Sequence, residues 1–201
     1  MANIVQPKGF VPSRYQNANP YTGAANLYCV PSSDVTQINV GDPVKTVAGG
    51  DANGIPYITK AAGTDSVRGV VVGVFPAGYN NPSLVGVNLD LTVQNVPATK
   101  TKAYYIMVAD DPDILFEVMD DGLSALTNTS CNKNASFTVA NPTSPGQNSA
   151  SVLSTASIGT VNTLNLKLIG LVQKPNNTFG INALWLVKWN LHEFNSPTVG
   201  V

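Results

Sequence analysis

Apolar and polar positions alternate along most of this chain with a period of two, the repeat of an extended strand with one face buried. The cleanest case is residues 85–93, where Val85, Val87, Leu89, Leu91 and Val93 alternate with Gly86, Asn88, Asp90 and Thr92. A second case is residues 181–191, where Ile181, Ala183, Trp185, Val187, Trp189 and Leu191 share one face and would bury both tryptophans. Residues 67–75 are almost continuous valine, the pattern of a strand covered on both sides, with Gly69 and Gly73 marking bulges or close packing. Further strands are predicted over 35–40, 44–47, 55–59, 103–109, 114–118, 135–140 and 164–172. Asn53-Gly54 is a strong hairpin signal between two of them.

Helical periodicity is thin. Residues 123–128 and 149–155 are predicted as one or two turns each, and the Ser-, Asn-, Pro- and Gly-rich stretch 141–159 reads as a long surface loop. About ten short strands at regular spacing predict an all-β fold, an antiparallel β-barrel or sandwich with at most one or two short helices.

The first 33 residues break the pattern. They hold Pro7, Pro12, Pro20 and Pro31, no acidic residue, and four aromatics, Phe10, Tyr15, Tyr21 and Tyr28. Proline fixes φ and removes donors, so the segment is expected to be an extended N-terminal arm. Flexible tails are normally poor in aromatics. The expectation is therefore an arm (1–33) that docks on a neighbouring subunit, followed by a β body (34–195) and a short tail (196–201). Phe10, Tyr15 and Tyr21 would be its anchors, and Arg14 its ion-pair donor.

Composition narrows the function. Only 11% of the 201 residues are charged, there is one histidine, and asparagine occurs 22 times. Enzyme sites are built from titratable groups in clefts, so so sparse a supply points away from an enzyme and towards a protein that works by its surfaces. Net charge is −1 and the 11 basic residues are scattered, which argues against nucleic acid as a partner. Cys29 and Cys131 read as ordinary thiols of a cytoplasmically made protein. Residues 1–11 carry no apolar leader pattern. The longest apolar run is far below the roughly 20 residues that span a bilayer, so no membrane partner is expected.

Half of the acidic residues fall within 12 positions: Asp110, Asp111, Asp113, Glu117, Asp120 and Asp121. Asp110, Asp111 and Asp113 are the candidate metal ligands, since Ca²⁺ and Mg²⁺ take several hard oxygens. The spacing of a calcium loop is missing, and Asp-Asp-Pro-Asp is also an ordinary turn sequence. A solvated turn, or a contact to a basic patch on a partner, are the alternatives. No cofactor motif is present.

Several stretches together resemble head decoration, or cement, proteins of tailed bacteriophages. Gly41-Asp42-Pro43-Val44, Gly54-Ile55-Pro56, Ala61-Ala62-Gly63 and 68–74 (RGVVVGV) are similar to the core of the small cement module. Residues 104–118 and 171–192 resemble segments of longer phage structural proteins. The resemblance implies a β-barrel-like core, no cofactor, and a place on the outer capsid surface of the virion. The implied partners are the major capsid protein and copies of the chain itself, as a trimer or dimer. The alternatives are another minor virion protein, such as a tail or fibre-base subunit, or a receptor-binding module.

Overall fold

The valine run forms the spine of a closed barrel. In the computed structural model, which describes residues 3–75, 95–144, 146–195 and 197, β6 (Gly69–Phe75) sits between β4 (Pro43–Gly50) and β8 (Tyr104–Ala109). The barrel closes in the order β2-β5-β4-β6-β8, with β2 at Asn26–Val30 and β5 at Pro56–Lys60. All its ladders are antiparallel except the short β2–β5 contact at Cys29 and Tyr57. The β4–β5 hairpin turns at Asn53-Gly54, where Gly54 has φ +80° and Asp51 accepts the Asn53 and Ile55 N–H groups. The lumen is filled by Val30, Ile38, Val44, Ile58, Val71, Val74, Val96, Ile106 and Val108, with the buried ring of Tyr28 among them. Branched aliphatics suit so narrow an interior. Gly69 is required by close approach, because a Cβ there would collide with the Ala109 carbonyl, and Gly73 follows a register shift in the β6–β8 ladder.

The second layer is a five-stranded antiparallel sheet in the order β1-β9-β14-β13-β10. Its strands are β1 (Val11–Tyr15), β9 (Ile114–Met119), β14 (Leu184–Trp189), β13 (Leu166–Leu171) and β10 (Asn134–Ala135). Two small pairs complete the fold: β3 (Ile38–Asn39) with β7 (Asn95–Val96), and β11 (Phe137–Thr138) with β12 (Val152–Leu153). The sheet lays Ile114, Phe116, Val118, Trp185, Val187, Trp189, Leu166 and Leu168 against Val67, Val70 and Ala61 from the barrel side. The two layers thus share one core, as the alternation in 181–191 predicts for both tryptophans. The fold is all-β and, but for the β2–β5 contact, built from antiparallel ladders: a barrel with a sheet packed on it.

The N-terminal segment departs from expectation. It is not a separate arm: β1 pairs with β9, and β2 is a barrel strand paired with β8. The division at 33/34 therefore cuts through the body. Phe10 is 1% exposed, with its ring 4.8 Å from Trp189 and edge-on to Phe137 at 5.7 Å. It is a core plug, so it is not available as an anchor for a partner. Its delivery depends on two glycines in the left-handed region: Gly9 (φ +67°) and Gly41 (φ +91°) pass so closely that a Cβ on Gly9 would strike the Gly41 carbonyl, and the Phe10 N–H donates to that carbonyl at 2.9 Å. The prolines do not prevent this, because β1 is an edge strand, where a missing donor is tolerated.

Other expectations shift as well. Among the described residues no α-helix occurs; Asn128–Ser130 and Thr155–Ser157 are single 3₁₀ turns. Residues 123–128 are held open by Asp121, whose carboxylate accepts the Leu123 N–H and both the N–H and hydroxyl of Thr155. The stretch 141–159 is not simply surface loop, for Ser149, Ser151 and Leu153 are fully buried. The strand predicted over 135–140 breaks at Ser136, whose hydroxyl turns to the Gly63 carbonyl and Asn165, so its halves join different sheets. The strand over 35–40 shortens to Ile38–Asn39, and Ile181 precedes β14 and is 49% exposed. The clean alternation at 85–93 and the tail beyond 195, Pro197 excepted, lie outside the described residues.

Candidate functional site

Register places most of the sequence-predicted site residues at one corner of the sheet. Tyr15 lies opposite Ile114 and Arg14 opposite Leu115, so the end of β1 meets the 110–113 turn that joins β8 to β9. The Gln16 N–H donates to the Asp113 carbonyl at 2.8 Å, and the 15–21 segment folds back on itself through Tyr15 N–H to Asn19 O (2.8 Å) and an Arg14–Pro20 bridge. The rings of Tyr15 and Tyr21 lie 6.3 Å apart, and the Tyr21 hydroxyl donates to the Ala24 carbonyl. Burial, with the nearby Tyr15 and Asp110, pushes the Tyr21 phenol above its ordinary range. Tyr15, Gln16, Asn17, Asp111 and Asp113 line a shallow concavity there. Arg14, Asp111 and Asp113 are exposed at this corner, whereas both tyrosines are half-buried against the core.

The acidic turn does not assemble a metal cage. Asp113 takes the Lys188 ammonium at 2.8 Å, and Lys188 also donates to Gln16. Asp111 accepts the Asp113 N–H. Asp110 turns inward: it accepts the Tyr28 hydroxyl at 2.6 Å and the Asn26 amide at 2.9 and 3.1 Å, and lies 3.7 Å from the Arg68 Nε. The three candidate ligands Asp110, Asp111 and Asp113 therefore point at different partners. Among the described residues no group of three or more His, Cys, Asp or Glu side chains is placed to hold a metal.

Asp110 belongs instead to a clamp that sequence reasoning missed. Arg68, just before β6, donates from Nε to the Tyr28 hydroxyl at 2.7 Å and from Nη1 to Glu193 at 3.4 Å. Its guanidinium lies 3.6 Å from the centre of the Phe194 ring and 5.5 Å from that of Tyr28. Glu193 in turn accepts the N–H and hydroxyl of Thr46 on β4 at 2.8 and 2.9 Å. The clamp fastens the chain after β14 to the barrel. Burial, more than the bond to Asp110, raises the Tyr28 phenol to about 12. His192 beside it is 3% exposed and its Nδ1 accepts the Phe194 N–H. Desolvation holds its pKa below the ordinary value, and the Arg68 charge adds to this.

Sequence reasoning also missed a groove over the outer face of the sheet. The Asn3 side chain grips the 178–181 loop through Thr178 and Ile181, and the ion-paired Lys174 and Glu117 are among the groove's lining residues. Ile4, Phe179 and Ile181 are exposed around it. Of these residues only Glu117 and Ile181 fall in predicted strands, and nothing in either pattern marks a groove. Among the described residues no helix is long and apolar enough to cross a membrane. No protein-family model matches this chain, and neither does any curated protein or solved structure.

Proposed function

We propose that this chain is a head decoration protein of a tailed bacteriophage, seated on the outer capsid surface and bracing the shell across capsomer boundaries. The observation that carries this reading is where the cement-like stretches fall. Gly41–Val44, Gly54–Pro56 and 68–74 are consecutive turns and strands of the closed barrel, the core that the resemblance implies. A bracing protein needs no bond-making chemistry, only modest interfaces repeated in many copies, with avidity supplying the strength.

The fold supports a rigid docking mode. With Phe10 and β1 committed to the body, the chain binds as a rigid block and not by a trailing arm. The contact surface is the corner that carries Arg14, Tyr15 and Tyr21 beside Asp111 and Asp113. There an exposed guanidinium and two half-buried rings adjoin a carboxylate pair. Its partners are the major capsid protein and other copies of the chain around a symmetry axis, as a trimer or dimer.

The test uses heads of the parent phage made without this protein. Purified chain added back should co-sediment with the heads and raise their resistance to heating, and electron microscopy should show added density on the outer shell. Absence of binding to the heads, or density confined to the tail, overturns the reading.

A further inference from the structure

A second polar cluster, at the junction of the barrel with the 141–151 segment, holds the components of a covalent crosslink. Asp42 is fully buried in the turn before β4. Its Oδ1 accepts the hydroxyls of Ser149 at 2.5 Å and Ser151 at 3.0 Å. Its Oδ2 accepts the Asn39 N–H at 2.8 Å and the Asn39 Nδ2 at 3.2 Å, and lies 2.7 Å from the Lys60 Nζ. Lys60 closes β5, and the same Nζ donates to the Oδ1 of Asn141 at 2.7 Å. The Asn39 Nδ2 reaches that Oδ1 as well, at 3.3 Å. An ion pair needs only Lys60 and Asp42. Here a carboxamide electrophile is held against the amine, a carboxylate touches the amine, and a further N–H points at the carboxamide oxygen.

We propose that Lys60 and Asn141 become joined by an intramolecular amide bond, with Asp42 moving the protons. Asp42 first takes a proton from the Lys60 ammonium across their 2.7 Å contact, freeing the Nζ lone pair. Nζ attacks the Asn141 Cγ, and the oxygen that gathers charge is Oδ1, towards which the Asn39 Nδ2 donates. The Cγ–Nδ2 bond then breaks. Nζ gives up one further proton, and the departing Nδ2 collects both, that one and the one held by Asp42. One amide forms, one ammonium ion leaves, and Asp42 returns to the carboxylate, so atoms and charge balance with no other reactant. Asn141 is exposed, which gives the ammonium a way out, while Asp42 and Asn39 are shielded from water. Holding the two reacting groups in one place supplies the effective concentration that the slow reaction of free amine with amide lacks. The bond would tie the barrel to a segment 81 residues further on, and would restrict the unfolded chain as a disulfide does.

Intact mass of the full chain, measured after folding and again after prolonged incubation, tests this directly. The expected result is a mass lower than that of the sequence by one ammonia, with a proteolytic fragment in which the peptides holding Lys60 and Asn141 are joined. Lys60→Arg and Asn141→Ala should both restore full mass; the second alters an exposed residue and leaves the fold standing. Asp42→Asn should slow or abolish the loss. Full mass in the folded, incubated protein overturns the proposal. So does an ammonia loss that persists in Asn141→Ala, which would place it elsewhere, as at the exposed Asn53-Gly54 turn.

Discussion

The barrel lumen and the seam between barrel and sheet are equally dry, but they are filled differently. The lumen holds Val30, Ile38, Val44, Ile58, Val71, Val74, Val96, Ile106 and Val108, all small or branched aliphatics, with Tyr28. The seam holds Trp185, Trp189, Phe10, Phe116 and Phe137. A closed barrel has a narrow, regular interior that short stiff side chains fill in low-energy rotamers. Two curved layers laid against each other leave an irregular gap, and large rings meeting at angles fill it. The second difference is closure. The barrel pairs its own strands all the way round, whereas the sheet is open, with β1 on one edge. The seam is therefore finished by a residue from far away in the sequence: Phe10, brought in along β1.

The largest effect should come from removing that contribution together with a barrel strand. Deleting residues 1–33 takes away β1, Phe10 and β2, so it opens the barrel and uncovers the seam at once. The truncated chain is expected to lose cooperative thermal unfolding and near-ultraviolet circular dichroism. A truncated chain that still melts in one sharp transition would break the account of the N-terminus as part of the body.

A finer comparison uses single substitutions. Phe10→Ala leaves a large cavity beside Trp189 and should cost about 3–5 kcal/mol, whereas Ile106→Val in the lumen should cost about 0.5–1.5 kcal/mol. Urea unfolding of both variants measures this. Equal costs would mean that the seam relaxes around the missing ring, and that its packing is looser than the lumen's.

The same contrast explains which parts of the fold can be read from the sequence. β6, β8, β9, β13 and β14 each carry enough apolar residues, in period two or as a continuous run, to announce themselves, and their bounds differ from expectation by at most three residues at either end. β1 carries no such signal. Its place is set by tertiary contacts: the Gly9–Gly41 crossing, the Phe10 plug and the ladder to β9. Aromatic side chains in 1–33 are a real signal, but it marks anchoring and does not say on what, and for Phe10 the answer is the chain's own core. The corner that carries Arg14 was half legible. Arg14, Tyr15, Tyr21 and the acidic turn each stand out in the sequence, yet only the β1–β9 register shows that they adjoin. The Arg68–Glu193 clamp was not legible, because an arginine and a glutamate 125 positions apart carry no mutual pattern.

A pH series probes the clamp at the edge of the seam. His192 has its pKa held below 6.5 in the folded protein, chiefly by burial, so the unfolded chain binds a proton more readily. Its contribution to stability is present above pH about 6.5 and falls as the pH drops below that. Asp120 has the opposite sign. Burial raises its carboxyl, so acidification through the range above 3.8 favours the folded state there. Asp34, Asp51 and Asp65, with pKa values below 3.8, withdraw stability only in stronger acid. Between pH 7 and 5 the melting temperature should fall, and in His192→Gln this fall should vanish or reverse. An identical slope in both proteins would show that the buried imidazole does not govern acid sensitivity.

The smallest effect on stability should be at the corner that carries Arg14, and there the comparison turns outward. Arg14 is exposed, on an edge strand and outside both cores. Arg14→Ala should therefore change unfolding free energy by no more than about 0.5 kcal/mol. If the corner is the contact surface, the same substitution should weaken binding to undecorated heads by about tenfold or more, since arginines at the centre of an interface are among its costliest residues to remove. Lys133→Ala, on the opposite side of the sheet next to β10, supplies the control: it removes one positive charge without touching the corner. Equal weakening by both substitutions would mean that overall charge, and not the place of Arg14, drives attachment. A folded Arg14→Ala protein that binds as tightly as the original would move the contact surface away from this corner, towards the groove gripped by Asn3.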